Sequence, residues 1–288
     1  MKEEDIRDIE LDLLLEGIHR RYGYDFRHYA RASLRRRVAN VAVKLGMDHI
    51  SQIIHPILRV DAAMSVFLRE MSISVTEMFR DPDFFVALRE KVLPYLDSYP
   101  FLKIWHAGCS TGEEAYAMAI VLKEEGLFRR SRIYATDFNN ESLHTAEEGI
   151  YPLDKLKKYM ANYNRSNGRA SFSDYYHAEY KSAKMSSDLR KCITFANHNL
   201  VTDGVFGEMN LIVCRNVMIY FDKDLQNRVL RLLSDSLCHR GFLCLGPKES
   251  LRFSHVAADF DVVSKAERIF RKRRFPSGPE YRLEEDCP

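Results

Sequence analysis

Apolar and polar positions follow two different rhythms along this chain. In the first third the rhythm is helical. Ile6, Ile9, Leu13 and Leu14 recur at helical spacing, and Leu34, Val38, Val41 and Leu45 do so again before Gly46 stops the run. Ile50, Ile53 and Ile54 begin a short helix, and residues 63–71 form another. "RDPDFFVALREKVLPYL" starts a further helix, with Asp81 as N-cap and Pro82 at the first helical position. No strand pattern of any length precedes residue 100.

After Phe101 the rhythm changes. "FLKIWHAG", "RIYATDFN", "CITFANHNL", "NLIVCRNVMIYF" and "FLCLGPKES" are apolar runs of strand length, several of them separated by helical segments at 113–126, 141–149 and 223–237. Strands alternating with helices predict an α/β fold with a parallel sheet covered on both faces. "FDVVS" and "RIFRKR" predict a hairpin that closes the sheet with an antiparallel strand. Residues 151–191 break the rhythm. They are polar, rich in Tyr, Ser and Lys, and too long for a bare βα loop. They read as a small inserted subdomain or a mobile flap. The expected organisation is a helical domain over 1–73 and an α/β domain over 74–275 with the insert at about 151–191. Residues 276–288 are expected to be a disordered tail.

Composition narrows the class. Of 288 residues 46% are apolar, which is enough for a packed core, and the formal net charge of +2 argues against binding polyanions by bulk electrostatics. No apolar run approaches ~18 residues, so no membrane span is expected. The acidic, amphipathic start "MKEEDIRDIELDLLLEG" is unlike a signal peptide. Six cysteines, at 109, 192, 214, 238, 244 and 287, form no CxxC pair and read as buried reduced thiols in a cytosolic protein.

The most informative stretch is "WHAGCSTGEEAYAMA", residues 105–119. A strand runs into a glycine turn and then a helix, the arrangement in which α/β sheets bind ligands. A dinucleotide loop would set pyrophosphate on the helix N-terminus. Here the helix opens with Glu113 and Glu114, which favour the helix dipole but repel phosphate. No GK[ST] follows, so a Walker loop is excluded. The ligand is expected to lack phosphate there and to carry positive charge, as S-adenosyl-L-methionine does. Taken alone, the two glutamates read better as first-turn residues that stabilise the helix. Asp137, at the end of "RIYATDFN", shifts the balance, because a strand-end acid commonly holds ribose hydroxyls. Its alternative role is a turn residue, although Asn140 already offers a helix cap there.

"SVTEMFRD", "CSTGEEAYAMA", "ATDFNNESL", "GIYPLDKL", "NHNL" and "CRNVMIYFD" follow one another in this order. Together they resemble the CheR-type chemoreceptor methyltransferases, over about residues 1–272. The resemblance implies a helical N-terminal domain joined to a class I, Rossmann-like methyltransferase domain with a small inserted β-subdomain. It implies transfer of a methyl group from S-adenosyl-L-methionine to glutamate side chains of chemoreceptor cytoplasmic helices. For the cofactor site it implies Ser74, Thr76 and Arg80 of "SVTEMFR", Gly108, Glu114, Asp137 at the ribose, Asn199 and Leu200 beside the adenine, and Arg215 and Asn216 at the far wall. Tyr220 would point at the transferred methyl. The family often has Asn at the position of Ser74 and two Phe before Arg80, where Met78 and Phe79 stand here.

A glutamate side chain has a pKa of about 4.3, so the nucleophile is ionised at neutral pH and needs no general base. Arg80 and Tyr220 are the expected catalytic residues. Arg80 holds either the methionyl carboxylate or the incoming glutamate. Without the motifs, Arg80 would read as a surface residue pairing with Asp81 or Asp83, and Tyr220 as a core aromatic with a wet end. His106 and His198 read as packed residues. Arg31 and Arg35 form an i,i+4 pair, with Arg36, Arg37 and Lys44 on other exposed faces. This surface reads as a solvated basic face or, with the resemblance, as a dock for acidic receptor helices. Some family members bind a receptor C-terminal peptide at the insert by β-addition. A cytoplasmic monomer is expected, with no nucleic-acid partner and no membrane insertion. Two rival readings are a methyltransferase for RNA or a small molecule, and a non-catalytic module that senses the cofactor.

Overall fold

A computed structural model describes residues 3–72 and 76–273. Four helices come first: α1 (Glu3–Tyr22), α2 (Arg31–Lys44), α3 (Ile50–Arg59) and α4 (Asp61–Met71). Helices α5 (Pro82–Lys91) and α6 (Leu93–Leu96) lead into β1 (Leu102–Ala107), α7 (Glu113–Glu124), β2 (Ser131–Asp137) and α8 (Asn140–Glu148). The segment that interrupts the alternation holds β3 (Ile150–Pro152), α9 (Leu153–Arg165), β4 (Tyr176–Glu179), β5 (Ser182–Met185) and α10 (Ser187–Lys191). The chain then returns through β6 (Ile193–Asn197), β7 (Met209–Cys214), α11 (Lys223–Asp235) and β8 (Leu237–Leu245) to the hairpin β9 (Phe260–Ser264) and β10 (Ile269–Lys272).

The main sheet has the order β6-β2-β1-β7-β8-β10-β9. Its strands are parallel from β6 to β8, and β10 runs antiparallel to both β8 and β9. The order turns outward in opposite directions from β1 and β7, which opens a crevice beyond their carboxyl ends. Alternate residues serve opposite faces. Ile104, Leu211 and Val213 join a core with α5, α7 and the insert. Trp105, Ile212 and Cys214 join a second core that is continuous with the N-terminal helices and α11. The helical domain therefore packs directly onto one sheet face. A backbone bridge between Tyr29 and Phe221 fastens it, and the N–H of Ala30 donates to the Tyr220 carbonyl (2.8 Å).

The fold departs from the sequence expectation in three places. On α1 the buried residues are Leu11, Leu14, Leu15 and Ile18, while Ile6, Ile9 and Leu13 are exposed. The helix carries two apolar stripes, and packing against α3 selects the C-terminal one. Asn139, not Asn140, caps α8: its Oδ1 accepts from the N–H of Glu141 (2.9 Å). Arg37 is buried rather than exposed, for reasons given below. The insert is the expected small β-subdomain, a three-stranded antiparallel sheet of order β3-β5-β4, and it adds a helix, α9, whose Leu156, Tyr159 and Tyr163 face inward. Glu124 of α7 accepts hydrogen bonds from Tyr163 and Tyr175 and pairs with Arg89, which ties the insert to the main domain. The expected tail lies outside the described residues. Among those residues no helix is long and apolar enough to cross a membrane.

Candidate active site

The site is built on the turn between β1 and α7. Gly108 has φ +78°, and a Cβ there would lie 2.5 Å from Val217 Cγ2. Gly112, with φ +88°, takes the N-cap position of α7, and a Cβ on it would meet Ala146 Cβ at 2.7 Å. Both positions need a residue without a side chain, for conformation and for space. The turn is fixed to β2 by the N–H groups of Gly108 and Cys109, which both donate to the Thr136 carbonyl (2.8 Å). Asp137, buried at the strand end, accepts from the N–H of Ser110 at Oδ2 (2.8 Å) and of Asn139 at Oδ1 (3.0 Å). Burial pushes its carboxyl up, against the pull of these backbone donors.

Two shallow depressions adjoin here and share Gly108, Ser110, Asn216 and Tyr220 as lining. One runs along Asp137, Phe138, Ser72 and Tyr29. The other runs along Thr76, Arg80, Glu114 and Arg215. They form one cleft at the end of β1 and β7, with a carboxylate in each half.

The two glutamates of the turn have separate fates. Glu113 is fully buried toward the insert, where it accepts from Thr111 Oγ1 (2.6 Å) and Tyr159 Oη (3.2 Å). Glu114 faces the cleft. Its Oε2 accepts from Arg215 Nη1 at 2.7 Å and its Oε1 from His106 Nδ1 at 3.3 Å. Burial alone would raise this carboxyl, but the Arg215 charge and His106 override it and hold it at about 2. Arg215 also donates from Nη2 to Asp81 Oδ2 (2.6 Å), and its Cζ lies 4.1 Å from the Phe84 ring centroid. Asp81 stands at the N-cap position of α5, yet its side chain makes no capping bond and serves Arg215 instead. Behind the opposite wall Glu249 gathers four N–H donors. Oε2 accepts from Asn216 (3.0 Å) and Gly246 (2.6 Å), and Oε1 from Val217 (2.9 Å) and Met218 (2.8 Å). This carboxylate holds the turn that carries Asn216 and Tyr220.

Of the residues expected in the site, Thr76, Arg80, Gly108, Glu114, Asp137, Arg215, Asn216 and Tyr220 line the cleft. Ser74 lies outside the described residues. Asn199 and Leu200 follow β6 but do not line it. The Asn199 Oδ1 accepts from the N–H of Val201 (3.0 Å), and Leu200 packs into the second core. Arg31 and Arg35 pair with Asp12 and Asp8 of α1. Arg37 passes beneath α4 instead of facing solvent. Its Nη1 donates to the Met71 carbonyl, and its Cζ lies 4.5 Å from the Tyr220 ring centroid. Burial lowers its pKa. Its position supports the Tyr220 wall from behind. Sequence reasoning missed Arg37, Glu249 and the His106–Glu114 contact. Only Arg37 left a signal, because it shares a helical face with Leu34, Val38 and Val41.

Comparison with known proteins follows the same division of the chain. Residues 74–269 match the family described as CheR methyltransferase, SAM binding domain, and residues 9–72 match CheR methyltransferase, all-alpha domain. A Pseudomonas putida protein that carries the name Cher3 is 48% identical over 272 residues, covering 94% of this chain and all (100%) of that one. The chemotaxis protein methyltransferase of Listeria innocua is 29% identical, over 85% of this chain and 92% of that one. Chemotaxis protein methyltransferase 1 of Vibrio cholerae is 30% identical, over 76% of this chain and 80% of that one.

Proposed function

The chain belongs to the CheR methyltransferase family, and from that premise we propose that it methylates glutamate side chains on chemoreceptor cytoplasmic helices. The products are glutamate methyl esters and S-adenosyl-L-homocysteine. The cofactor of the family's SAM-binding domain is S-adenosyl-L-methionine, and the residues of the cleft fit it. Gly108 leaves backbone open where a Cβ would close the cradle, and Ser110 Oγ is buried without a hydrogen-bond partner among the described residues. The observation that carries the reading is the placement of Glu114 and Asp137 in the two halves of one phosphate-averse cleft.

When bound, S-adenosyl-L-methionine supplies a methyl group on a positively charged sulfur, which is already a good leaving group. Glu114 receives the methionyl ammonium and Asp137 the ribose hydroxyls. Thr76 and Asn216 complete the wall. Arg80 and Tyr220 flank the substrate carboxylate and orient it, and the docked receptor helix covers the cleft and strips that carboxylate of water. No residue acts as a general base, because glutamate is ionised above a pH of about 4.3.

The relatives named as chemotaxis methyltransferases support a chemoreceptor as partner. Arg31 and Arg35 meet its acidic helices by exchanging the exposed α1 aspartates for receptor carboxylates. Strand β4 lies at the edge of the insert's sheet and offers main-chain groups to a receptor C-terminal peptide. The protein works as a cytoplasmic monomer in this reading. The test is methylation of chemoreceptor-bearing membranes by wild type, Arg80→Ala and Tyr220→Phe. Both variants should lose most turnover while still binding cofactor. Wild-type turnover in both would exclude this reacting centre.

A further inference from the structure

We propose that His106 is a positioning residue for cofactor binding, whose Nδ1–H holds the Glu114 carboxylate in the orientation that receives the methionyl ammonium. This rests on the reading of Glu114 given above. His106 lies on β1, just before the glycine turn, and is 1% exposed. Glu114 is an ionised carboxylate and can only accept, so the ring nitrogen facing it carries a hydrogen. That contact spans 3.3 Å to Oε1, while Arg215 holds Oε2 at 2.7 Å.

The two donors come from neighbouring strands. His106 is paired with Val213 across β1 and β7, and Arg215 directly follows β7. Each carboxylate oxygen is thereby fixed by one donor. Glu114 alone would have several side-chain torsions to freeze on binding, and these are frozen in advance. Arg215 by itself restrains only one oxygen, and it also serves Asp81.

Among the described residues the His106 ring has no hydrogen-bond partner other than Glu114. Its Nε2 is buried without a hydrogen-bond partner among the described residues. An unpaired ring nitrogen in a buried strand carries a desolvation cost that an apolar residue of similar size would avoid. The contact with Glu114 offsets that cost. The chemistry asks for no base, so His106 acts through Glu114 and not on the substrate.

Calorimetric binding of two ligands tests this. S-adenosyl-L-homocysteine carries the amino-acid end that Glu114 is assigned to hold, and 5′-methylthioadenosine lacks it. His106→Leu should weaken the first by about tenfold, the scale of one charged hydrogen bond, and leave the second unchanged. His106→Asn places an amide N–H near the position of Nδ1 and should restore most of the loss. Unchanged affinity for both ligands in His106→Leu would overturn the proposal. So would equal weakening of both, or failure of His106→Asn to recover, since either result describes a merely structural histidine. Glu114→Gln separates the layers. If it weakens S-adenosyl-L-homocysteine while His106→Leu does not, His106 alone is wrongly assigned. If Glu114→Gln has no effect, the assignment of Glu114 falls and the role of His106 falls with it.

Discussion

Replacing Arg215 by methionine removes the charge that joins three parts of the cleft. The guanidinium side chain is 2% exposed and is paired with Glu114, itself 17% exposed, and with Asp81 at 41%. The Glu114 carboxyl titrates at about 2 in the folded protein. Against about 4.3 in an unfolded chain, that difference corresponds to about 3 kcal/mol. Removing one partner of a buried pair costs about 3–5 kcal/mol, and the more exposed Asp81 adds at most about 1 kcal/mol. The direction with pH follows from the depressed value. The contribution of Glu114 is fully present above its unfolded pKa and is lost as pH falls through about 2. In Arg215→Met burial is left to dominate, and the carboxyl moves upward instead. The variant should therefore fall furthest behind wild type near neutral pH, and the gap should narrow as the medium is acidified. Urea unfolding followed by fluorescence reads this directly, because Trp105 on β1 is the one tryptophan in the sequence and is fully buried. At neutral pH the midpoint should drop by about 1–2 M. An unchanged midpoint, or a gap that stays constant from neutral pH to about pH 3, would refute the reasoning.

Other outcomes follow from the same geometry. Gly108→Ala should lose about 1–2 kcal/mol from the left-handed backbone and more from the clash with Val217. Adding Val217→Ala should recover the clash but not the backbone part, and equal stability of the single and double variants would contradict this. Glu249→Gln leaves only one acceptor oxygen for the four N–H donors and should cost about 2–4 kcal/mol in thermal unfolding. It should also weaken S-adenosyl-L-homocysteine binding, since the turn bearing Asn216 and Tyr220 loosens. Arg31→Ala combined with Arg35→Ala should raise the KM for receptor and leave cofactor affinity alone. Raising salt should have the same selective effect in wild type, and equal loss of both would argue against the dock.

The unit β1–α7–β2 was legible because its signals are local. A glycine turn, an acidic helix start and a strand-end aspartate lie within one βα repeat, and each has a physical reason to be there. The division of labour between Glu113 and Glu114 was not legible. Consecutive helical residues point about 100° apart, and the partner that selects Glu114 is 101 residues away. On α1 two apolar stripes compete, and only packing against α3 decides between them. Helix α9 was hidden because its inward stripe is made largely of tyrosines. Their hydroxyls score as polar, yet two of them are satisfied by Glu113 and Glu124. Arg37 shows the opposite failure. Its spacing placed it on the buried face of α2, but its charge argued for solvent. Its burial depends on the Met71 carbonyl and the Tyr220 ring, which distant parts of the chain supply.

The chemical identity of the product tests the central claim most directly. Chemoreceptor-bearing membranes would be incubated with the protein and S-adenosyl-L-methionine labelled on the transferred methyl, then treated with mild base. The account predicts label on the receptor that base releases as volatile methanol, the behaviour of a glutamate methyl ester, and far less of it from Arg80→Ala. Label that resists base, as an N-methyl group would, or label that appears only on nucleic acid or small molecules, would contradict it.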